Sequence, residues 1–176
     1  SSTADLDQVT VGHANGLTIT GNLYAKDVVL NIADAQLKFT GTSEQVVSAA
    51  ISAGSGGTED ITFGDSAVVT FNAAIGTNSS GSDNELIEIT TSSSSTVKFN
   101  STVKSATLTL DDSGTATFED AVTLTGALAV QNASTITLGI GIVAGETVFS
   151  TTTGGSSFTT SATVNMPETF NTGTIT

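Results

Sequence analysis

Pairs of apolar residues separated by a single position recur along the chain, each followed by a polar corner and then a second pair. Leu108-Thr109-Leu110, the corner 111–114 and Ala116-Thr117-Phe118 set the template. Leu128-Ala129-Val130 to Ile136-Thr137-Leu138 repeats it about twenty residues later without a gap. Val9-Thr10-Val11 to Leu17-Thr18-Ile19 and Ile61-Thr62-Phe63 to Val69-Thr70-Phe71 fit as well. Val28-Val29-Leu30 to Leu37-Lys38-Phe39 and Ile87-Glu88-Ile89 to Val97-Lys98-Phe99 fit with longer corners. After the second pair an apolar residue often returns four positions on, at Ile75, Val103 and Val122.

Alternate side chains of a strand point to one face, so each pair looks inward together. The corners are rich in Gly, Asn, Asp and Ser, which tolerate left-handed backbone and bond locally to it. Two short strands, a corner and a third inward residue in about twenty residues describe one coil of a parallel β-solenoid, read here as a right-handed β-helix. One coil buries little. Stacked coils bury continuous columns, worth roughly 1.5–3 kcal/mol per inward Val, Leu, Ile or Phe. Two other architectures compete. A six-residue spacing through Phe118, Leu124, Val130, Ile136, Ile142 and Val148 suggests a tighter hexapeptide solenoid, but it fails upstream of Phe118. Short strands with frequent turns also suit a β-sandwich or jelly roll. Residues 1–176 read as a single β-repeat domain, with 40–60 and 76–85 expected to loop out of the template.

Composition supports the all-β reading. Only 12% of residues are charged, Ser, Thr, Asn and 18 Gly fill the polar quota, and the single Pro leaves ladders unbroken. The four cations are all Lys, against 17 acids, for a net charge of −13. That balance excludes a nucleic-acid footprint and disfavours an anionic membrane surface. There is no Cys, hence no disulfide or thiolate site. No apolar run reaches transmembrane length, so membrane insertion is not expected. With Met166 the only Met, Ser1 reads as a processed end, and the chain as an exported one whose signal has been removed.

The acid–base inventory is thin. His13 is the only His and sits in a Gly/Asn corner, where it reads as a solvated turn residue. Trp is absent, Tyr24 is the sole Tyr, and most of the eight Phe occupy template core positions. No enzyme is expected. The chemical feature that stands out is acidic: Asp111 and Asp112 at a corner, with Glu119 and Asp120 after the next strand of the same coil. Ca²⁺ takes six to eight oxygens, and acidic corners plus carbonyls are candidate ligands for it. The plainer account of the same carboxylates is solubility and protection against edge pairing. Glu59-Asp60 and the Asp83–Glu85 stretch are similar groups. Asn78, Asn100 and Asn132 head triplets of glycosylation-acceptor form, which are common by chance in so Ser/Thr-rich a chain.

At Val69–Gly76, Val97–Val103 and Ala116–Leu128 the chain resembles the β-helical repeats of bacterial autotransporter passengers and S-layer-like proteins, and Leu17–Ala25 resembles phage tail-fibre repeats. The resemblance implies display at a cell or particle surface and brings no functional residues. The expected function is a non-catalytic structural subunit of an extracellular assembly (a filament, sheath or S-layer-like array). Its partners would be copies of itself, added head to tail through strand edges, with Thr169–Thr176 as a candidate joining strand. An adhesin passenger or a fibre or decoration module, binding glycans or a host surface, is the alternative.

Overall fold

The computed structural model describes residues 6–54, 59–77, 81, 85–110, 113–124, 128–130, 134–138, 142–144, 149–150, 157–160, 170–171 and 174–175. Among these there is no helix, and therefore none long and apolar enough to cross a membrane. All strand pairings are parallel, which rules out the sandwich and jelly roll and makes the chain a β-solenoid.

The strands follow one another coil by coil. β1 (Leu6–Val11) and β2 (Leu17–Ile19) are followed by β3 (Ala25–Leu30), β4 (Gln36–Phe39) and β5 (Gln45–Val47). Next come β6 (Ala50–Ala53), β7 (Asp60–Phe63) and β8 (Val68–Phe71), then β9 (Leu86–Thr90) and β10 (Thr96–Phe99). β11 (Val103–Leu110) bends across two faces and precedes β12 (Thr115–Phe118). β13 (Val122–Leu124), β14 (Leu128–Val130) and β15 (Thr135–Leu138) make a full coil, as do β16 (Ile142–Ala144), β17 (Phe149–Ser150) and β18 (Ser157–Thr160). β19 (Phe170–Asn171) and β20 (Thr174–Ile175) stack on β17 and β18.

Stacking produces three faces. The first runs β1, β3, β6, continues through the single bridging residue Ile75, and resumes in β11, β13 and β16. The second runs from β2 through β4, β7, β9, β11, β14 and β17 to β19, and the third from β5 through β8, β10, β12, β15 and β18 to β20. Register aligns the inward side chains into columns. Val28, Ile51, Ile75, Val103 and Val122 form one, each at most 1% exposed. Leu37, Ile61, Ile89 and Leu108 form another on the second face, and Val69, Val97, Ala116 and Ile136 a third on the third face. The apolar residue that returns four positions after the second pair is thus the first face of the next coil.

The phenylalanines follow from the same register. Phe71, Phe99 and Phe118 stack at centroid distances of 5.1 and 4.6 Å with interplanar angles of 5° and 3°. Parallel strands sit about 4.8 Å apart, so identical side chains on successive rungs must stack at this spacing. Phe39 and Phe63, from the second face, meet Phe71 edge-on at 5.3 and 6.0 Å. Hydrogen bonding between side chains reinforces the stack at one corner, where Asn100 Nδ2 donates to Asn72 Oδ1 at 2.8 Å.

The corners obey the expected chemistry. Ser66, Ser94 and Ser113 occupy the equivalent position between the second and third faces, with φ of 58°, 55° and 65°. Left-handed backbone is uncommon outside Gly, and the turn bonds Ala67 N–H to Gly64 O and Ser95 N–H to Ser92 O hold it there at 3.0 Å. The residue that follows points inward and is small: Ala67, Ser95 and Gly114 are all buried, as is Ser134 in the next coil.

Two sequence expectations need correction. Residues 40–60 do not simply loop out: they contain β5 and β6, which supply inward positions on the third and first faces. Gln45 sits among these inward positions at 1% exposure, opposite Val69. Its amide is satisfied there, accepting from Gly41 N–H and donating to Ile19 O and Gly21 O at 2.8, 3.1 and 3.0 Å. The 76–85 stretch, by contrast, lies between Ile75 and β9 and holds no named strand among its described residues. The second correction concerns phase. The pattern aligned Val28–Phe39 with Leu108–Phe118, yet Leu108 stacks in the column of Leu37 and Ile61, one face later. All three faces share the apolar-x-apolar signature, so the sequence repeat leaves the phase open by a third of a coil.

Candidate functional site

Apart from buried residues such as Gln45, Glu59, Ser95 and Ser134, the polar side chains lie outward, and their chemistry differs from face to face. On the second face the rung positions Gln36, Asp60 and Glu88 are in register on β4, β7 and β9. Asp34, in the preceding corner at φ 62°, and the fully buried Glu59 bring further carboxylates to the same neighbourhood. Burial and the adjoining Glu88 push the Asp60 carboxyl up to about 6 from its ordinary 3.8, with Asp34 and Glu59 adding to the rise, against a side-chain hydrogen bond from Gln36. Glu88 Oε1 accepts from Thr109 Oγ1 at 3.1 Å on the next strand.

This arrangement has a consequence for stability. A raised native pKa means that folded Asp60 holds a proton between pH ~4 and ~6 that the unfolded chain has lost. The penalty for ionising Asp60 is absent below pH ~4, grows as pH rises through 6, and is fully present at neutrality. Acidification from pH 7 to 5 should therefore stabilise the fold through this group, by of order 1 kcal/mol once solvent screening of a partly exposed carboxylate is counted. Asp60→Asn should raise the melting temperature at pH 7 and flatten the profile between pH 4 and 6.5. A variant whose profile parallels the parent's would remove Asp60 as the cause.

Beside this ladder runs a shallow open groove, walled by Lys38 and Thr40 on one coil and by Thr62, Gly64 and Asp65 on the next. Ser92 closes one end, its one hydroxyl proton facing Phe63 O at 2.6 Å, with Asp65 Oδ1 as the alternative acceptor at 3.2 Å. Hydroxyls, an ammonium and a carboxylate line it.

The acidic residues singled out as calcium ligands separate in the structure. Asp111 and Asp112 lie outside the described residues. Glu119 is exposed and pairs with Lys98, Oε1 to Nζ at 3.0 Å, across adjacent strands of the third face. Asp120 turns back on its own corner, its Oδ1 accepting from Ala121 N–H at 2.7 Å. Among the described residues no three His, Cys, Asp or Glu side chains gather as a metal site. His13 lies exposed, its Nδ1 accepting from Asn15 N–H at 3.1 Å within the turn.

Sequence inspection found Glu59-Asp60 as an acidic pair but not its neighbours Asp34 and Glu88. Their separations along the chain, across coils of unequal length, hide the ladder until register is known. Threonine rows occur on two faces: Thr18, Thr62, Thr90 and Thr109 are in register with Lys38 on the second, and Thr70, Thr117 and Thr137 with Lys98 on the third, where Thr96, Thr115 and Thr135 form a further row with Val68. No family model, curated protein or solved structure matches this chain, which stands as a three-faced parallel β-solenoid of the general kind formed by β-helical repeat proteins.

Proposed function

We propose that this chain is a non-catalytic structural subunit of an extracellular or cell-surface assembly, such as a filament, sheath or S-layer-like array, that associates with copies of itself through strand edges. The observation that supports the reading is the stack itself: all strand pairings among the described residues are parallel, and the inward side chains of successive coils fall into register as continuous columns. A stack of this kind presents a parallel strand edge wherever it is interrupted, and such an edge is a template for a further coil. Head-to-tail addition at such an edge is heterologous and does not close, so it propagates as a fibre.

The expected joining strand needs restating in this light. Within 169–176, β19 and β20 are themselves rungs of the solenoid, stacked on β17 and β18, and not a free arm. Purified protein should form rods in negative-stain images and sediment as concentration-dependent oligomers. Leu6→Lys, which places a charge at the exposed position of β1 without touching the buried columns, should shift the population towards monomer at least several-fold. A parent protein that stays monomeric at high concentration would overturn the proposal.

A further inference from the structure

The corner between β1 and β2 carries a residue pair found nowhere else in the chain. Asn15 is followed by Gly16, whereas every other Asn is followed by a residue with a side chain. The corner is a tight turn: Gly16 N–H donates to His13 O at 2.8 Å, and Asn15 N–H donates to His13 Nδ1 at 3.1 Å. Gly12, His13, Ala14 and Asn15 are all exposed, and the turn lies outside the named strands. Asparagines at other corners are tied into the stack. Asn22 Oδ1 accepts from Val46 N–H at 2.8 Å, and Asn100 Nδ2 donates to Asn72 Oδ1.

An asparagine side-chain carbonyl carbon is one five-membered ring away from the nitrogen of the next residue. Closing that ring is intramolecular, so its rate depends on how readily the nitrogen reaches Cγ. A side chain on the following residue obstructs the approach; Gly offers none and frees the backbone at that point. To react, the Gly16 N–H gives up its bond to His13 O. Opening an exposed four-residue turn costs far less than opening a rung of the wall.

We propose that Asn15–Gly16 is a site of spontaneous deamidation, and that its isoaspartyl product loosens the first coil. The Gly16 amide nitrogen loses its proton to solvent base and attacks Asn15 Cγ. The bond from Cγ to Nδ2 breaks, ammonia leaves, and a succinimide ring remains. Water then opens the ring. Cleavage between the ring nitrogen and Cγ leaves an ordinary aspartate; cleavage between the nitrogen and the main-chain carbonyl carbon leaves isoaspartate, with the chain running through Cβ and Cγ. Either product adds a negative charge to a chain of net −13, but only isoaspartate adds a methylene to the main chain. The corner has no room for it. Gly16 adopts φ 68° with its backbone against the next coil, where a Cβ would strike the carbonyl of Gln36. The extra length therefore passes to Leu17 and disturbs its register with Leu37. Each coil touches only its neighbours, so the damage stays in the first coil and its contact with the second. The proposal does not rest on self-association, since it concerns one turn of a single chain.

The test ages the full chain in mildly alkaline buffer, digests it after lysine, and fragments the peptide ending at Lys26 in a mass spectrometer. A protein isoaspartyl methyltransferase with a labelled methyl donor counts isoaspartate separately from aspartate. Asn15 should deamidate at least tenfold faster than Asn22 or Asn100, and hydroxylamine should cut the ageing chain between residues 15 and 16. Asn15→Gln, which would have to close a six-membered ring, should lose at least nine-tenths of the methyl-accepting signal. Aged parent should melt several degrees below fresh parent. Asn15→Asp, which carries the charge without the methylene, should melt with the fresh protein. A native Asn15 that stays intact while the urea-unfolded chain deamidates there overturns the proposal, as does equally fast reaction at Asn22 and Asn100. An isoaspartate-rich sample that melts like the fresh protein, or an Asn15→Asp variant that melts as low as the aged one, overturns its structural half.

Discussion

Phe99→Ala is expected to destabilise the solenoid by about 3–5 kcal/mol, as a lower urea midpoint with an unchanged denaturant slope. Phe99 is 1% exposed and is the middle ring of a stack, with Phe71 on one side at 5.1 Å and Phe118 on the other at 4.6 Å. Truncation removes both ring contacts and leaves a cavity between two coils that the backbone ladder prevents from collapsing. The bonds that fix this spacing run on either side: Asn100 N–H to Phe71 O and Glu119 N–H to Phe99 O, each 2.8 Å. Phe99→Leu keeps most of the volume and should cost about 1.5 kcal/mol or less. Equal effects from Ala and Leu would show that the stack contributes little beyond the ladder itself. Because each coil touches only its neighbours, the loss should also weaken the coupling between the coils on either side of it.

That phenylalanine column is legible in the sequence alone. Val69-x-Phe71, Val97-x-Phe99 and Ala116-x-Phe118 share face, pair and corner, so alignment alone puts their rings together. The inward return of Ile75, Val103 and Val122 was legible for the same reason. Phase was not. Val9–Ile19 and Val28–Phe39 join the first face to the second, whereas Leu108–Phe118 and Leu128–Leu138 join the second to the third. A local alignment cannot distinguish these, because burial asks the same of each face. The six-residue spacing from Phe118 to Ile142 reflects the same fact: three faces in about twenty residues put an inward residue roughly every six or seven, without making the repeat a hexapeptide.

Residues 40–60 were obscured differently. β5 reads Gln-Val-Val and β6 Ala-Ile-Ser-Ala, so a buried amide and small residues replace the large apolar pairs that mark a strand elsewhere. Gln45 is buried because it satisfies carbonyls of the first coil at Ile19 and Gly21, where the third face has no named strand. That role depends on a partner twenty-odd residues away and leaves no local signal. The acidic ladder was hidden by the same kind of separation. By contrast, the threonine rows need only the template, and Thr115, Thr117, Thr135 and Thr137 fall opposite one another as soon as the repeat is aligned.

Gly76→Ala should be the most damaging single-methyl addition among the described glycines of the 75–85 region, costing at least ~2 kcal/mol from left-handed strain and backbone collision together. At this point the first face narrows to one residue. Ile75 bridges Ile51 and Val103, its N–H bonding Thr102 O at 2.9 Å while its carbonyl accepts from Lys104 N–H at 2.8 Å. Gly76 then donates to Ile51 O at 2.7 Å and turns the chain out of the wall at φ 75°. A Cβ there would strike the carbonyl of Lys104, a backbone group already committed to the stack and unable to step aside. Gly12 and Gly21 supply the contrast: a Cβ at either meets nothing within 4 Å, and neither has positive φ. Ala at those sites should be neutral or stabilising by about 0.4–1 kcal/mol, through the lowered entropy of the unfolded chain. Thermal melts of the three variants measured together separate the two mechanisms. If Gly76→Ala melts with Gly12→Ala, the excursion leaves the solenoid by a route that does not need a left-handed residue, and the continuity of the Ile51–Ile75–Val103 column cannot depend on it.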